Sequence, residues 1–116
     1  MTILADTSVW IHHFRYGEPK LAALLWDGHV LMHPFVLGEL ACGNLQDRRA
    51  VLSNLEALPS AELASNAEVL QLVHDRRLWG KGLGWIDAHL VASMLLSGCD
   101  LWTLDKRLAA VVSTIR

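Results

Sequence analysis

The sequence predicts an α/β protein in which a central, mostly parallel sheet is covered by helices on both faces. Short apolar runs of the kind that form buried strands alternate along the chain with longer segments of helical periodicity. Strands that are joined through helices run parallel, and a parallel sheet is buried between two helical layers. The 116 residues are enough for one domain, residues 1–116, with a sizeable core.

The first half of the chain is predicted to contain two strands and four helices. The first strand ends before Asp6, and Thr7 or Ser8 can then cap the first helix, since hydroxyl oxygens accept the free N–H groups of a helix start. Pro19 and Pro34 suit the first turn of the helices that they open. The predicted strands are 2–5 and 29–32, and the predicted helices are 9–14, 20–27, 34–43 and 46–57.

The second half is predicted to contain three helices and up to three strands. Ser65 and Glu68 have the spacing of a capping box, which opens a helix that ends before the glycine-rich segment 80–84. Gly98 ends the next helix, because glycine adopts the left-handed conformation that terminates helices. The predicted helices begin after Ser65, at 85–97 and at Lys106, and the predicted strands are 61–63, 101–104 and 111–115.

Composition limits the class of protein. The formal net charge of −2 argues against a surface wholly dedicated to nucleic acid. The sequence has no apolar stretch long enough to span a membrane and no signal peptide, so a cytoplasmic protein is expected. Cys42 and Cys99 are isolated and are expected to be buried thiols. The 53% hydrophobic content and five tryptophans favour an oligomer or a standing partner.

Four carboxylates stand where the apolar pattern predicts burial or a shared edge. Asp6 and Asp105 each follow a predicted strand, and in a parallel sheet those strand ends lie along one edge. Glu39 and Asp87 are expected to point along apolar helix stripes. Each acid alone has an ordinary explanation, a turn or helix cap for the aspartates and a stripe edge for Glu39. Their coincidence, with no lysine or arginine on the same stripes, favours one acidic pocket.

An acidic pocket of this kind favours a bound cation. Carboxylates within a few Å of one another cannot all ionise unless a cation joins them. Oxygen ligands select hard divalent ions, so the pattern favours Mg²⁺ or Mn²⁺, and the sequence has no cysteine–histidine set at zinc spacing. Four histidines are interpreted as structural or surface groups instead of ligands: His12, His13, His33 and His89.

The segments around the four acids resemble the acidic motifs of PIN-domain nucleases. They are LADTSVWI around Asp6, GELACG around Glu39, GWIDAHLVAS around Asp87 and LWTLDKRL around Asp105. The motifs come in the family's order and cover essentially the whole chain. The opening ADTS and the E-L-x-x-G segment are most similar to the small VapC toxins of bacterial toxin–antitoxin pairs.

The resemblance implies a PIN-like three-layer α/β/α sandwich with a central, mostly parallel sheet of four or five strands. It also implies a metal-dependent endoribonuclease toxin that cleaves RNA, commonly tRNA or ribosomal RNA, with water activated by Mg²⁺ or by Mn²⁺ as a substitute. On this analogy all four acids are catalytic. Asp6 and Asp87 bind the metal directly or through water, Asp105 completes the cluster, and Glu39 binds the metal or orients water.

Partners follow from the same resemblance, which implies a homodimer and a VapB-type antitoxin. The C-terminal segment of the antitoxin covers the site, and the antitoxin, not this chain, binds operator DNA. Exposed basic side chains are expected to contact the RNA backbone. Hydroxyls beside the acids are expected to bond to the carboxylates or to phosphate, with helix capping an equal alternative for the first two. The basic residues are Arg76, Arg77, Lys81 and Arg107, and the hydroxyls are Thr7, Ser8 and Thr103.

Arg107 departs from the family pattern, because many relatives carry a further acid two residues after the fourth one. The basic side chain could contact a phosphate, or its presence could mean that only one metal ion is held. The departure also gives weight to the alternative function, a PIN-like RNA-binding or scaffolding module without catalysis.

Two other classes of α/β protein with acidic sites are set aside. A phosphoacceptor receiver needs an Asp after the predicted strand 29–32, and a haloacid-dehalogenase phosphatase needs an Asp in place of Ser8.

Overall fold

The computed structural model describes residues 1–115 and contains a parallel sheet of three strands in the order β2-β1-β3. The central strand β1 (Ile3–Ala5) lies between β2 (Val30–Leu31) and β3 (Asp100–Trp102). Ala5 pairs with Trp102, so β1 and β3 end side by side. Because the strands are parallel, the residues that follow β1 and β3 lie at the same edge of the sheet.

Helices surround this sheet and make up most of the chain. The bounds of α6 coincide with the predicted helix 85–97, and the other helices lie close to their predicted positions. Within residues 1–115 the helices are α1 Thr7–Tyr16, α2 Pro19–Trp26, α3 Pro34–Ala41, α4 Arg48–Glu56, α5 Asn66–Asp75, α6 Trp85–Ser97 and α7 Lys106–Ile115.

The core forms around β1, whose three residues are at most 3% exposed. Trp10 on α1 is 1% exposed and packs in the same cluster. Full burial of a Leu or Val side chain stabilises a fold by about 1.5–3 kcal/mol, so apolar burial fixes the strand that carries Asp6 at its end. Helix α6 contributes the largest run of buried residues on one element, from Ala88 to Met94.

The predicted sheet of four or five strands is wrong in number, although the parallel arrangement is confirmed. The predicted strand 61–63 is reduced to a single bridge between Met32 and Ser60. The predicted strand 111–115 is part of α7. Its Val and Ile residues suggested a strand, yet they form a helical stripe with spacings of three and four residues that packs on the core. The stripe consists of Leu108, Val112 and Ile115.

The surface carries several large apolar side chains, as the composition predicted. Trp26 is 91% exposed, and Tyr16 and Trp79 are also exposed. Cys99 is buried as predicted, but Cys42 is exposed because it lies just past the end of α3. No helix in residues 1–115 is both long and apolar enough to cross a membrane.

His33 begins the helix that carries Glu39. Its Nδ1 accepts a hydrogen bond of 3.0 Å from the backbone N–H of Phe35, so a neutral imidazole caps α3. The side chain is buried, and its ring centroid is 6.3 Å from that of His89. Burial, and to a smaller extent His89, lowers the pKa of His33 from 6.5 to about 4.

Because of His33, the free energy of unfolding is expected to decrease as the pH is lowered from about 6.5 to about 4. In this interval the unfolded chain protonates His33 and the folded chain does not, so acid favours unfolding by up to about 1.4 kcal/mol per pH unit. His33→Asn keeps an acceptor at the cap but does not titrate. Urea unfolding at several pH values should therefore give the variant a shallower pH dependence. Equal slopes for the two proteins would contradict this role of His33.

Candidate active site

Asp6 and Asp105 occupy equivalent positions after β1 and β3. Asp6 Oδ1 accepts hydrogen bonds from the backbone N–H groups of Ser8, at 2.9 Å, and Val9, at 3.4 Å. Asp105 Oδ1 accepts from the backbone N–H groups two and three positions later, at 2.8 and 3.4 Å. Each aspartate therefore caps the helix that leaves its strand. The predicted cap at Thr7 or Ser8 is wrong, because Asp6 takes that position and both hydroxyl residues lie inside α1.

A hydroxyl network fixes the Asp6 carboxylate, which is only 7% exposed as a residue. Thr103 Oγ1 donates to Asp6 Oδ2 at 2.5 Å, and Ser8 Oγ donates to Asp6 Oδ1. The same hydroxyls also accept backbone N–H groups, from Asp105 to Thr103 Oγ1 and from Leu104 to Ser8 Oγ, both at 3.0 Å. Hydrogen bonds of this kind offset the cost of burying a charge. They also join the end of β1 to the turn after β3.

Glu39 reaches the site from α3. Its Oε1 accepts a 2.8 Å hydrogen bond from Thr7 Oγ1, in the first turn of α1. The predicted inward orientation of Glu39 is wrong, because the residue is exposed, while Val36 and Leu40 supply the buried face of α3. Because Glu39 is exposed and is held through one carboxylate oxygen, it lies at the rim of the site and is open to a ligand.

Asp87 lies near the other three carboxylates. It is half-buried in the first turn of α6, where its Oδ2 accepts a 3.1 Å hydrogen bond from the Gly84 N–H. Burial raises the pKa of Asp87, the Gly84 N–H lowers it, and the negative charges of Asp105, Asp6 and Glu39 each raise it further; the net direction is upward. The other three carboxylates are therefore close enough to Asp87 to repel its negative charge.

Three helix N-termini point into this acidic site, those of α1, α6 and α7. Asp6 and Asp105 stand at two of them, and Asp87 lies in the first turn of the third. A helix N-terminus carries the equivalent of about half a positive charge, which favours nearby anions. The helix ends therefore offset part of the repulsion among the carboxylates, while burial and, to a smaller extent, the charges of the other three acids still raise the pKa of Asp87.

The site matches a hard divalent cation in donor chemistry. The four acids supply only oxygen ligands, and in residues 1–115 the only lysine or arginine ion-paired to any of them is Arg107, at 3.9 Å from Asp105. No three His, Cys, Asp or Glu side chains in the same range are already gathered closely enough to hold a metal ion. The side chains must therefore turn toward one another to bind one, and the ion would relieve their repulsion.

Some of the predicted hydroxyl and basic residues contact the four acids, and others do not. Thr7, Ser8 and Thr103 all bond to the acids as expected for hydroxyls beside them. Arg76, Arg77 and Lys81 are exposed in and after the C-terminal turn of α5, and in the described part of the chain they make no ion pair with the four acids. Arg107 is the predicted basic residue that the structure places against the site.

The glycine-rich segment 80–84, which is predicted to end a helix, also lies against the acidic site. Gly84 donates its N–H to Asp87, and Gly82 lies against the side chain of Arg107. Gly82 has a φ of +79°, and a Cβ built there would be 2.7 Å from Arg107 Cδ. The available signal was the spacing of the three glycines, which was interpreted only as the end of a helix.

Comparison with known proteins gives consistent results. The family model described as PIN domain matches residues 3–113. Ribonuclease VapC32 of Mycobacterium tuberculosis, in the strains CDC 1551 / Oshkosh and ATCC 25618 / H37Rv, is 49% identical over 109 residues, which cover 93% of this chain and 88% of the relative. The crystal structure of PAE2754 from Pyrobaculum aerophilum superposes with a TM-score of 0.60 at 20% identity, covering 99% of this chain and 86% of the other, and so shares the fold.

Proposed function

The chain belongs to the PIN-domain family, with the VapC ribonucleases, and we propose that it is a metal-dependent endoribonuclease toxin whose active site is the four-acid cluster. Its substrate is RNA, with tRNA or ribosomal RNA as the expected targets. Its cofactor is Mg²⁺, which Mn²⁺ can replace. The catalytic residues are Asp6, Glu39, Asp87 and Asp105.

The observation that carries this proposal is geometric: the ends of β1 and β3 bring Asp6 and Asp105 to one edge of the sheet, and Asp87 lies near enough that, after burial, the charges of Asp105, Asp6 and Glu39 also raise its pKa. A phosphodiester is itself an anion, so an acidic pocket repels RNA until a cation reverses the local field. The same four carboxylates supply the oxygen ligands that Mg²⁺ and Mn²⁺ prefer. Metal binding and RNA cleavage therefore require the same residues.

In this mechanism Asp6, Asp87 and Asp105 would hold the metal, directly or through water. When bound, the ion lowers the pKa of a water molecule and screens the charge of the phosphate. The hydroxyls of Thr103 and Ser8 keep Asp6 in place, as expected for groups that orient a ligand. Glu39 is exposed at the rim and tied to Thr7, and it orients the attacking water or binds the metal. Attack of water on phosphorus with release of the 3′ oxygen leaves a 5′-phosphate and a 3′-hydroxyl.

The partners proposed for the chain are those of a toxin. A VapB-type antitoxin would cover the acidic site with its C-terminal segment and would itself bind operator DNA. A homodimer accords with the exposed apolar side chains of the surface. Arg76, Arg77 and Lys81 are proposed to add weaker contacts to the RNA backbone. Because its substrate is RNA, we expect the protein to act in the cytoplasm.

Removal of divalent metal is expected to stop RNA cleavage by the purified protein. With EDTA in excess, gel electrophoresis of a labelled tRNA or ribosomal RNA mixture should show intact RNA. Mg²⁺ or Mn²⁺ added beyond the chelator should restore the products, whereas Ca²⁺ and Zn²⁺ should restore them poorly, since the site selects small cations with oxygen ligands. Cleavage that continues unchanged in EDTA after prior metal removal would refute the metal-dependent mechanism.

A second candidate function is an RNA-binding or scaffolding module without catalysis. It is favoured by the ion pair between Arg107 and Asp105, which occupies one of the four acids with a cation of the chain itself. The two functions differ in one outcome. A non-catalytic module binds RNA but leaves it intact in Mn²⁺, and replacement of Asp6 or Asp87 by Ala then changes no activity.

A further inference from the structure

Arg107 is an arginine held inside the boundary of an otherwise acidic site. It is the second residue of α7, and its Nε lies 3.9 Å from Asp105 Oδ1. Its side chain is 69% exposed, so the guanidinium faces solvent on one side and the carboxylate on the other. An exposed pair at this distance is weak and exchanges partners readily.

The backbone at Gly82 gives the Arg107 side chain its place. A Cβ at that position would lie 2.7 Å from Arg107 Cδ and 3.1 Å from its Nη1, both closer than van der Waals contact allows. A side chain at position 82 would displace the arginine from its present position on the loop, and the φ of +79° also favours glycine. The arginine thus spans the space between the loop that leads to Asp87 and the turn that carries Asp105.

We propose that Arg107 exchanges partners when substrate binds, leaving Asp105 for a phosphate of the RNA and thereby freeing Asp105 for the metal ion. The inference rests on the proposed function, since it assumes that the acids bind metal and that the substrate is RNA. Guanidinium groups bind phosphate with two parallel hydrogen bonds. A phosphate is therefore a better partner for Arg107 than the Asp105 carboxylate, which lies 3.9 Å away. Metal and phosphate then assist each other's binding through a single side chain.

The exchange predicts that Arg107→Ala shifts the binding of the two ligands in opposite directions. Without the arginine, Asp105 loses a competing cation, so Mn²⁺ alone, titrated by calorimetry without RNA, should bind up to about fivefold more tightly. A fluorescent single-stranded oligoribonucleotide, titrated in EDTA, should bind more weakly. The slope of log K against log salt concentration should also become shallower by about 0.7, the value for one lost phosphate contact on a single strand.

Lys106→Ala is the matched control, because Lys106 is an exposed cation in the same turn and its side chain makes no hydrogen bond or ion pair within residues 1–115. It removes the same charge and should change both affinities less than about twofold. Equal effects of the two variants would show that Arg107 acts only through its general positive charge, and they would overturn the exchange. Unchanged or weaker binding of both ligands in Arg107→Ala would also overturn the exchange.

Failure of this inference can be told apart from failure of the proposed function. If the wild-type protein cleaves RNA in Mn²⁺ while Arg107→Ala shows no opposite shifts, the exchange is wrong and the nuclease assignment is unaffected. If the opposite shifts are present but the wild-type protein cleaves no RNA, Arg107 couples the two ligands in a binding protein, and the nuclease assignment is wrong.

Discussion

Asp87→Asn is expected to abolish RNA cleavage while making the metal-free protein more stable. The substitution removes a proposed metal ligand, and a loss of about 3 kcal/mol of transition-state stabilisation already lowers the rate by about a hundredfold. Stability increases because the folded state buries part of the Asp87 carboxylate and also holds it near three other negative charges. The asparagine amide oxygen can still accept the Gly84 N–H, so the start of α6 is preserved.

The gain in stability should depend on pH. The pKa of Asp87 is raised in the folded protein, so the folded state loses stability as pH rises through the interval between the unfolded and the folded value. The variant should therefore exceed wild type near neutral pH, by up to about 1 kcal/mol after solvent screening, and the difference should vanish in strong acid. Thermal unfolding in EDTA measures it. Asp27→Asn, an exposed acid at the end of α2, is the control and should change neither property. Retained cleavage by Asp87→Asn would remove Asp87 from the site.

Asp6→Ala should also abolish cleavage, but unlike Asp87→Asn it should destabilise the protein. Asp6 caps α1 and accepts the Thr103 hydroxyl, so alanine leaves the start of the helix and that hydroxyl without their acceptor. Loss of a cap costs about 1 kcal/mol, and loss of hydrogen bonds to a charged group costs about 1.5–3 kcal/mol, giving about 2.5–4 kcal/mol together. Urea unfolding in EDTA measures the difference from wild type.

Asp6→Asn separates the two roles of this residue. Its amide oxygen still caps α1, and its amide nitrogen can donate to Thr103 Oγ1, so most of the stability should be retained. Its charge and one ligand oxygen are lost, so cleavage should be as low as in the alanine variant. An Asp6→Ala protein as stable as wild type would contradict the network described around this carboxylate.

The elements predicted best from the sequence are those with strong local signals. Helix α6 could be delimited because glycines flank it and its apolar residues are continuous. The C-terminal segment was assigned partly to a strand, since Val and Ile favour strands locally. Packing of Leu108, Val112 and Ile115 on the core stabilises a helix instead, and that packing is a tertiary effect.

The candidate site could be predicted as a set of acids but not as a geometry. Strand ends bring Asp6 and Asp105 together by topology alone, which the sequence pattern contains. The exposure of Glu39 and the contact between Gly82 and Arg107 depend on how α3 and the glycine-rich loop pack, which no local pattern specifies. The hydrogen bonds of Asp6, Asp87 and Asp105 at helix starts confirm the ordinary explanation of these acids, and the proposed metal site uses the same three residues.

The central claim is that the four carboxylates form one metal site. The most direct test is a crystal structure of the protein soaked in Mn²⁺, with anomalous diffraction recorded to locate the ion. The account predicts a Mn²⁺ peak contacted by Asp6, Asp87 and Asp105, with Glu39 bound directly or through water. A peak at other residues, or none at a Mn²⁺ concentration that supports full cleavage, would contradict it.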